Sequence, residues 1–264
     1  MLTKVVAVQA KMGSRLNLAQ RIHLFKQRAD FICLPEYFLL DDGVTDFHRA
    51  ALLRNDHLEY YERLSDELST CLISGTVVEA EEDKLYNTCY VFNRGEELGS
   101  YRKRFPVPGE LERGISPGTG QLVIEVEGVR IGIIVCGDVF YEQVYQELAE
   151  RGVDLVFAPT TSPYRPADSI SRKEYRDQIY FHAGATRCGA FVVKVCGTGR
   201  LFGKPLQGRT LITGPWGMVK QVDFSEEQSE RVLSETLSIS ELREFRQMMN
   251  RRNSVSRTRR FESV

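Results

Sequence analysis

Six cysteines stand at positions 33, 71, 89, 136, 188 and 196, and no two of them form a C-x-x-C pair. That spacing argues against a zinc ribbon or a thioredoxin-type redox site. The sequence also lacks an apolar run of the roughly 20 residues that a membrane-spanning helix needs. It lacks an excess of either charge: 35 Lys and Arg against 36 Asp and Glu leave a formal net charge of −1. Neither nucleic acid nor a membrane surface is therefore an expected partner. No internal repeat or low-complexity stretch divides the chain. No signal-peptide pattern opens it, since Met1 to Ala10 runs straight into strand-like sequence. The expectation is a cytoplasmic protein with reduced cysteines.

What is present is ordinary globular material, 42% hydrophobic and 27% charged over 264 residues, enough for one substantial core. Short apolar runs alternate with amphipathic stretches. Buried strands are expected over residues 5–9, 31–34, 155–158 and 191–195. Helices are expected over 17–28, 45–53, 58–71, 141–150, 171–188 and 240–249. Strands over 72–78 and 87–93 pair across a charged turn, residues 98–102 continue them, and 122–127 pairs with 130–135 around Gly128. Further strands are expected over 208–213, 218–222 and 231–237. Residues 105–120 hold three of the nine prolines and read as a long loop of the kind that borders a site. Mixed strands and helices throughout predict one layered α/β or α+β domain over residues 1–250. A basic tail over 251–264 follows, with arginines at 251, 252, 257, 259 and 260.

Three reactive side chains each lie just past the end of an apolar strand. Cys136 follows Ile133-Ile134-Val135 and precedes Gly137, a sequence that turns sharply and can project a thiol. Gly137 would let a backbone N–H approach a substrate oxygen. Glu36 follows Leu34-Pro35, where partial desolvation raises proton affinity toward that of a general base. Lys103 ends the run Tyr101-Arg102-Lys103, and a fixed ammonium can stabilise an oxyanion. Each also has a bland reading: a small buried hydrophobe for the cysteine, solvated surface charge for the other two. The four histidines, at 23, 48, 57 and 182, lie far in sequence from all three, which disfavours a Cys-His protease.

Seven blocks in order resolve the ambiguity. These are Val5-Ala7-Gln9, then Asp30 through Pro35-Glu36, Tyr86-Asn87-Thr88, Gly99-Ser100-Tyr101-Arg102-Lys103 and Val135-Cys136-Gly137-Asp138. Gly152-Val153-Asp154 leading to Pro159 follows, then Gly197 through Gly214-Pro215-Trp216-Gly217. Together they resemble the nitrilase superfamily of carbon–nitrogen hydrolases, of amidase-like rather than nitrile-hydrolysing kind. The resemblance implies a four-layer α-β-β-α sandwich and a catalytic set of Glu36, Lys103 and Cys136. It implies a further glutamate in the following loop, Glu110 first and Glu112 next, and homo-oligomeric assembly as a dimer or larger. No metal or organic cofactor is called for.

The implied reaction is cleavage of an amide in a small linear substrate through a cysteine thioester. An N-carbamoyl amide hydrolase and a non-catalytic scaffold on the same fold are the alternatives. Gly137, Tyr37, Tyr141 and Thr161 are the candidate substrate-binding residues, with Thr160, Ser162 and Tyr164 beside Thr161. The chain departs from the family pattern at Gly137, Phe105, Phe140 and the Arg187-Cys188-Gly189 stretch, changes that bear on substrate choice. The arginines at 104, 113, 165 and 187 could supply a carboxylate-binding surface.

Overall fold

The structure, a computed structural model, describes residues 1–44 and 46–261; the side chains of residues 250 and 252–261 lie outside that description. Its strands run almost uninterrupted in apolar residues because both of their faces are covered. Strand Leu2–Lys11 shows the pattern. Val5 and Ala7 enter a core between two sheets, whereas Val6, Val8 and Ala10 face helices on the other side. The period-2 alternation thus sorts one apolar run between two cores.

In the first sheet, Leu2–Lys11 lies between Phe31–Cys33, parallel, and Arg231–Ser238, antiparallel. Beyond Phe31–Cys33 come Cys71–Ile73 and then Lys84–Asn93, which also pairs with Val77–Glu81 and Glu96–Arg102. The second sheet runs Val123–Val126, Val129–Ile133, Leu155–Thr160, Phe191–Thr198, Leu211–Gly214 and Gly217–Gln221. Its three central strands are parallel. Ala10 and Lys11 pair with Gly197 and Thr198, joining the two sheets at one corner.

The inner faces meet in a single core. Val5, Phe31, Ile73 and Val91 from one sheet pack with Ile131, Ile133, Phe157 and Val193 from the other. Helices Leu18–Gln27 and Arg54–Glu67 cover the outside of the first sheet through Leu24, Tyr61 and Leu64. Helices Glu142–Glu150 and Ala183–Cys188 cover the second through Val144, Tyr145, Leu148 and Ala185. The result is the expected α-β-β-α sandwich.

Several boundaries differ from expectation. The helix expected over 45–53 is Phe47–Leu52, and Thr45 lies outside the described residues. The strand expected over 72–78 is two strands, broken at Gly75. A Cβ there would sit 1.9 Å from the Pro35 carbonyl oxygen, so only glycine lets this turn pass beneath the segment leading to Glu36. The helix expected over 171–188 is α-helical at Ile170–Asp177, widens to a π-helical turn at Gln178–His182, and resumes at Ala183–Cys188. The loop over 105–120 contains a helical turn, Pro108–Leu111. The last helix is Ile239–Phe261, passing the point at which the tail was expected to begin. Among the described residues no helix is long and apolar enough to cross a membrane.

Candidate active site

Three strand ends carry the site: Glu36 follows Phe31–Cys33, Lys103 follows Glu96–Arg102 and Cys136 follows Val129–Ile133. Cys136 comes three residues after Val129–Ile133 and has φ of +41°, a left-handed conformation that non-glycine residues rarely adopt. It opens a 3-10 turn, Cys136–Phe140, and its partly exposed thiol donates to the Thr161 carbonyl at 3.4 Å. Asp138 holds that turn. One of its oxygens accepts from the Val135 N–H at 2.8 Å and the Tyr101 hydroxyl at 2.9 Å, and the other from the Phe105 N–H at 2.9 Å. The buried carboxyl is raised in pKa by desolvation, which these donors only partly offset.

Lys103 and Glu36 are buried to within 1% of full enclosure. The Lys103 ammonium lies 2.8 Å from Glu36 Oε1 and 2.7 Å from Glu110 Oε2. Burial alone would strip its proton. The opposing pull of Glu36, of Cys136 and of Glu110 outweighs burial and holds its pKa above the ordinary lysine value. Glu110 is desolvated too, yet the Lys103 charge keeps it below the usual glutamate range. Both carboxylates thus lie within hydrogen-bond reach of one ammonium.

Asn87 ties the two glutamates together. Its side-chain amide nitrogen donates to Glu36 Oε1 at 2.9 Å and to Glu110 Oε1 at 2.8 Å, while its backbone carbonyl accepts the Lys103 backbone N–H at 2.8 Å. Tyr37 adds a phenol hydrogen bond to Glu110 Oε1 at 2.7 Å. The other oxygen of Glu36 belongs to Thr161, which donates its N–H at 2.9 Å and its hydroxyl at 2.6 Å. Thr161 thus meets both Glu36 and the Cys136 thiol. Burial first, then the charge of Glu36, push that thiol well above the ordinary cysteine pKa despite Lys103. It rests as a protonated thiol.

Gly137 has a steric reason. A Cβ would stand 2.7 Å from the Phe105 carbonyl oxygen and 2.9 Å from a Val107 methyl. The nucleophile turn and the loop after Lys103 are pressed together there, with no room for a side chain.

Cys136 and Lys103 open onto a cavity of about 440 Å³ whose wall includes Glu110, Phe140, Thr160, Thr161, Ser162 and Phe202. The structure brings Glu36, Lys103, Cys136, Glu110 and Thr161 together. Glu112 is exposed, which leaves Glu110 as the loop glutamate at this centre. Of the four expected substrate contacts, Tyr37 and Thr161 line the cavity, whereas Gly137 and Tyr141 do not. Tyr141 does not line the cavity: its ring stacks on Phe105 at 3.7 Å, and neighbouring Phe140 forms the wall instead. Tyr37 reaches the cavity, but its hydroxyl is committed to Glu110. Of the four arginines, Arg113 and Arg165 line the cavity, while Arg104 pairs with Glu147 and Arg187 with Glu142. Asn87 and Asp138 were not singled out as site residues, although both sit inside recognised blocks. Among the described residues no group of His, Cys, Asp and Glu is arranged to hold a metal ion.

The family model described as carbon-nitrogen hydrolase matches residues 6–247. The chain belongs to that family. It is 27% identical to omega-amidase NIT2 of Mus musculus over 239 residues, covering 85% of this chain and 82% of the relative. It is 28% identical to omega-amidase NIT2-A of Xenopus laevis over 252 residues, covering 88% and 87%. The carbon-nitrogen hydrolase of Helicobacter pylori G27 has the same fold, with a TM-score of 0.80 at 18% identity over 94% of this chain and 93% of that one.

Proposed function

We propose that the protein hydrolyses the amide of a small linear substrate through a thioester on Cys136. The observation that carries this reading is the Lys103 ammonium held between Glu36 and Glu110 beside a resting thiol, with Thr161 joining Glu36 to that thiol. A protonated thiol needs a base, and Glu36 is the carboxylate arranged to serve it. As the sulfur attacks the carbonyl carbon, the thiol proton passes to Glu36. The oxyanion is held by Lys103 and the Gly137 N–H. The C–N bond breaks as Glu36 returns the proton to the leaving nitrogen, releasing ammonia or an amine. Water then gives a proton to Glu36 and adds to the thioester, and the acid departs as the thiol is restored. Glu110 positions Lys103. Homodimers or larger assemblies are part of the same reading.

The test is a panel of small amides assayed for released ammonia, with intact-protein mass spectrometry for the acyl adduct. Cys136→Ala abolishes both signals. Glu36→Gln lowers turnover about 10²–10⁴-fold. Undiminished ammonia release by Cys136→Ala would overturn the assignment.

A further inference from the structure

Two-residue hairpin turns need positive φ at their central positions and favour small polar residues there. The turns Arg94-Gly95 and Glu127-Gly128 have positive φ at both positions, and each begins with a charged side chain that is exposed. The hairpin that pairs Arg200-Leu201 with Lys204-Pro205 also has two positive φ values, +53° and +72°, yet its turn is Phe202-Gly203. A bulky aromatic residue at positive φ is strained and persists only where its surroundings hold it. Among the described residues, the other aromatic residue with positive φ is Tyr37, at +54°. The rings of Phe202 and Tyr37 meet edge to face with centroids 5.9 Å apart, and both residues line the cavity of Cys136.

Several elements hold Phe202 there. The Phe47 ring meets it edge to face at 5.1 Å, and the Arg113 guanidinium lies 4.9 Å from its centre. Arg113 Nη1 donates in turn to the Gly109 carbonyl at 2.5 Å, beside Glu110. At the turn itself, the Gly203 N–H donates to Asp42 Oδ1 at 2.7 Å. The returning strand is tied to the segment that follows Thr161. The Tyr164 N–H donates to the Pro205 carbonyl and the Gln207 N–H to the Ser162 carbonyl, each at 2.8 Å. From Phe202 a file of contacts leads to the catalytic centre. Its ring packs on Tyr37, the Tyr37 hydroxyl donates to Glu110 Oε1 at 2.7 Å, and Glu110 Oε2 lies 2.7 Å from Lys103 Nζ. The Tyr37 N–H is spent on the Thr76 hydroxyl, so its ring contacts with Phe47 and Phe202 set where the phenol points.

We propose that Phe202 is a positioning residue: from the cavity wall its ring holds Tyr37, which holds Glu110 and through it Lys103. The proposal rests on the amidase reading, and its test separates the two.

The test is a double-mutant cycle of Phe202→Asn with Tyr37→Phe. Asparagine suits the turn and removes the ring; Tyr37→Phe keeps its own ring and removes the hydroxyl that carries the effect. Phe202→Asn lowers kcat for a small amide about 10- to 100-fold, as misplacement of a catalytic group does, and changes KM less. Phe202→Leu, which keeps apolar volume, shifts kcat in the same direction by less. In the Tyr37→Phe background Phe202→Asn has little further effect, because the two act in one file. Additive losses of kcat in folded variants overturn the proposal. So does a change confined to KM, which would make Phe202 a substrate contact alone. The second readout is the rate of Cys136 labelling by iodoacetamide, followed by peptide mass spectrometry, which needs no turnover. Labelling slows in Phe202→Asn as Lys103 shifts from the sulfur, and slows no further when it is combined with Tyr37→Phe. That pattern without turnover of any amide leaves the positioning role standing, and the amidase reading alone fails. Unchanged or additive labelling rates overturn the positioning role.

Discussion

Thr161 grips a single oxygen of Glu36 twice, with its backbone N–H at 2.9 Å and its hydroxyl at 2.6 Å. The remaining oxygen of Glu36 is left to Lys103 and Asn87. This division fixes which side of the carboxylate faces the ammonium and which faces the strand end where the Cys136 thiol rests.

Thr161→Val keeps the N–H and removes the hydroxyl. A hydrogen bond to a charged group contributes about 1.5–3 kcal/mol, so loss of this one lowers kcat by roughly 10- to 150-fold. The variant stays folded, and KM changes less than kcat. Steady-state kinetics on an amide substrate, with thermal melting as the folding control, check this. An unchanged kcat would show that the hydroxyl does not orient Glu36.

Glu110→Gln and Glu112→Gln separate the two loop glutamates. Removing one partner of a buried ion pair costs about 3–5 kcal/mol, so Glu110→Gln lowers both activity and the urea midpoint, whereas exposed Glu112 tolerates the change. The pH dependence follows from the sign of the Glu110 shift. Its folded pKa lies below the ordinary glutamate value, so its stabilisation is fully present above that ordinary value and is lost as pH falls through the folded pKa. Stability measured below pH 4.5 therefore falls less steeply in Glu110→Gln than in the parent.

The Cys136 thiol is raised above 9.0 by burial and then by Glu36. Its folded pKa exceeds the unfolded one, so its proton is retained through neutral pH and the associated stability is lost only as pH rises through the folded value. Iodoacetamide labelling of resting Cys136, followed by mass spectrometry, shows no inflection between pH 6 and 8. An inflection near pH 7 would mean a resting thiolate and a different role for Glu36.

Gly137→Ala places a methyl 2.7 Å from the Phe105 carbonyl oxygen. Overpacking of this kind costs about 1–3 kcal/mol. The backbone must part between the nucleophile turn and the loop after Lys103, so kcat falls along with the urea midpoint. Full activity in Gly137→Ala would show that this contact yields without moving Lys103 or Cys136.

Much of the candidate site was legible in the ordered blocks that resemble the nitrilase superfamily. Pro35-Glu36, Arg102-Lys103 and Val135-Cys136 could be read in a line. The packing of Tyr141 and the widened turn inside the helix over 171–188 were not legible, for a common reason. Local pattern shows which residues are apolar or aromatic, but not which neighbour they pack against. Tyr141 found Phe105 across the turn, and the expected straight helix widened at Gln178–His182.

The division between sequence and tertiary structure is sharpest at charged residues. Periodicity predicted a layered α/β domain, since strand alternation is local, while the sandwich and the set Glu36, Lys103 and Cys136 were what the resemblance of seven ordered blocks to the nitrilase superfamily implied. Only the folded structure decided that Glu110 rather than Glu112 meets Lys103, and that Asn87 bridges two carboxylates. It also decided that Lys194 and Arg209 share Asp177 beside the cavity. The physical reason is that a charge is defined by what surrounds it. Lys194 in a run of valines states that a cation is buried, but its partner Asp177 lies 17 positions away in sequence and is shared with Arg209, an arrangement that only tertiary packing brings about.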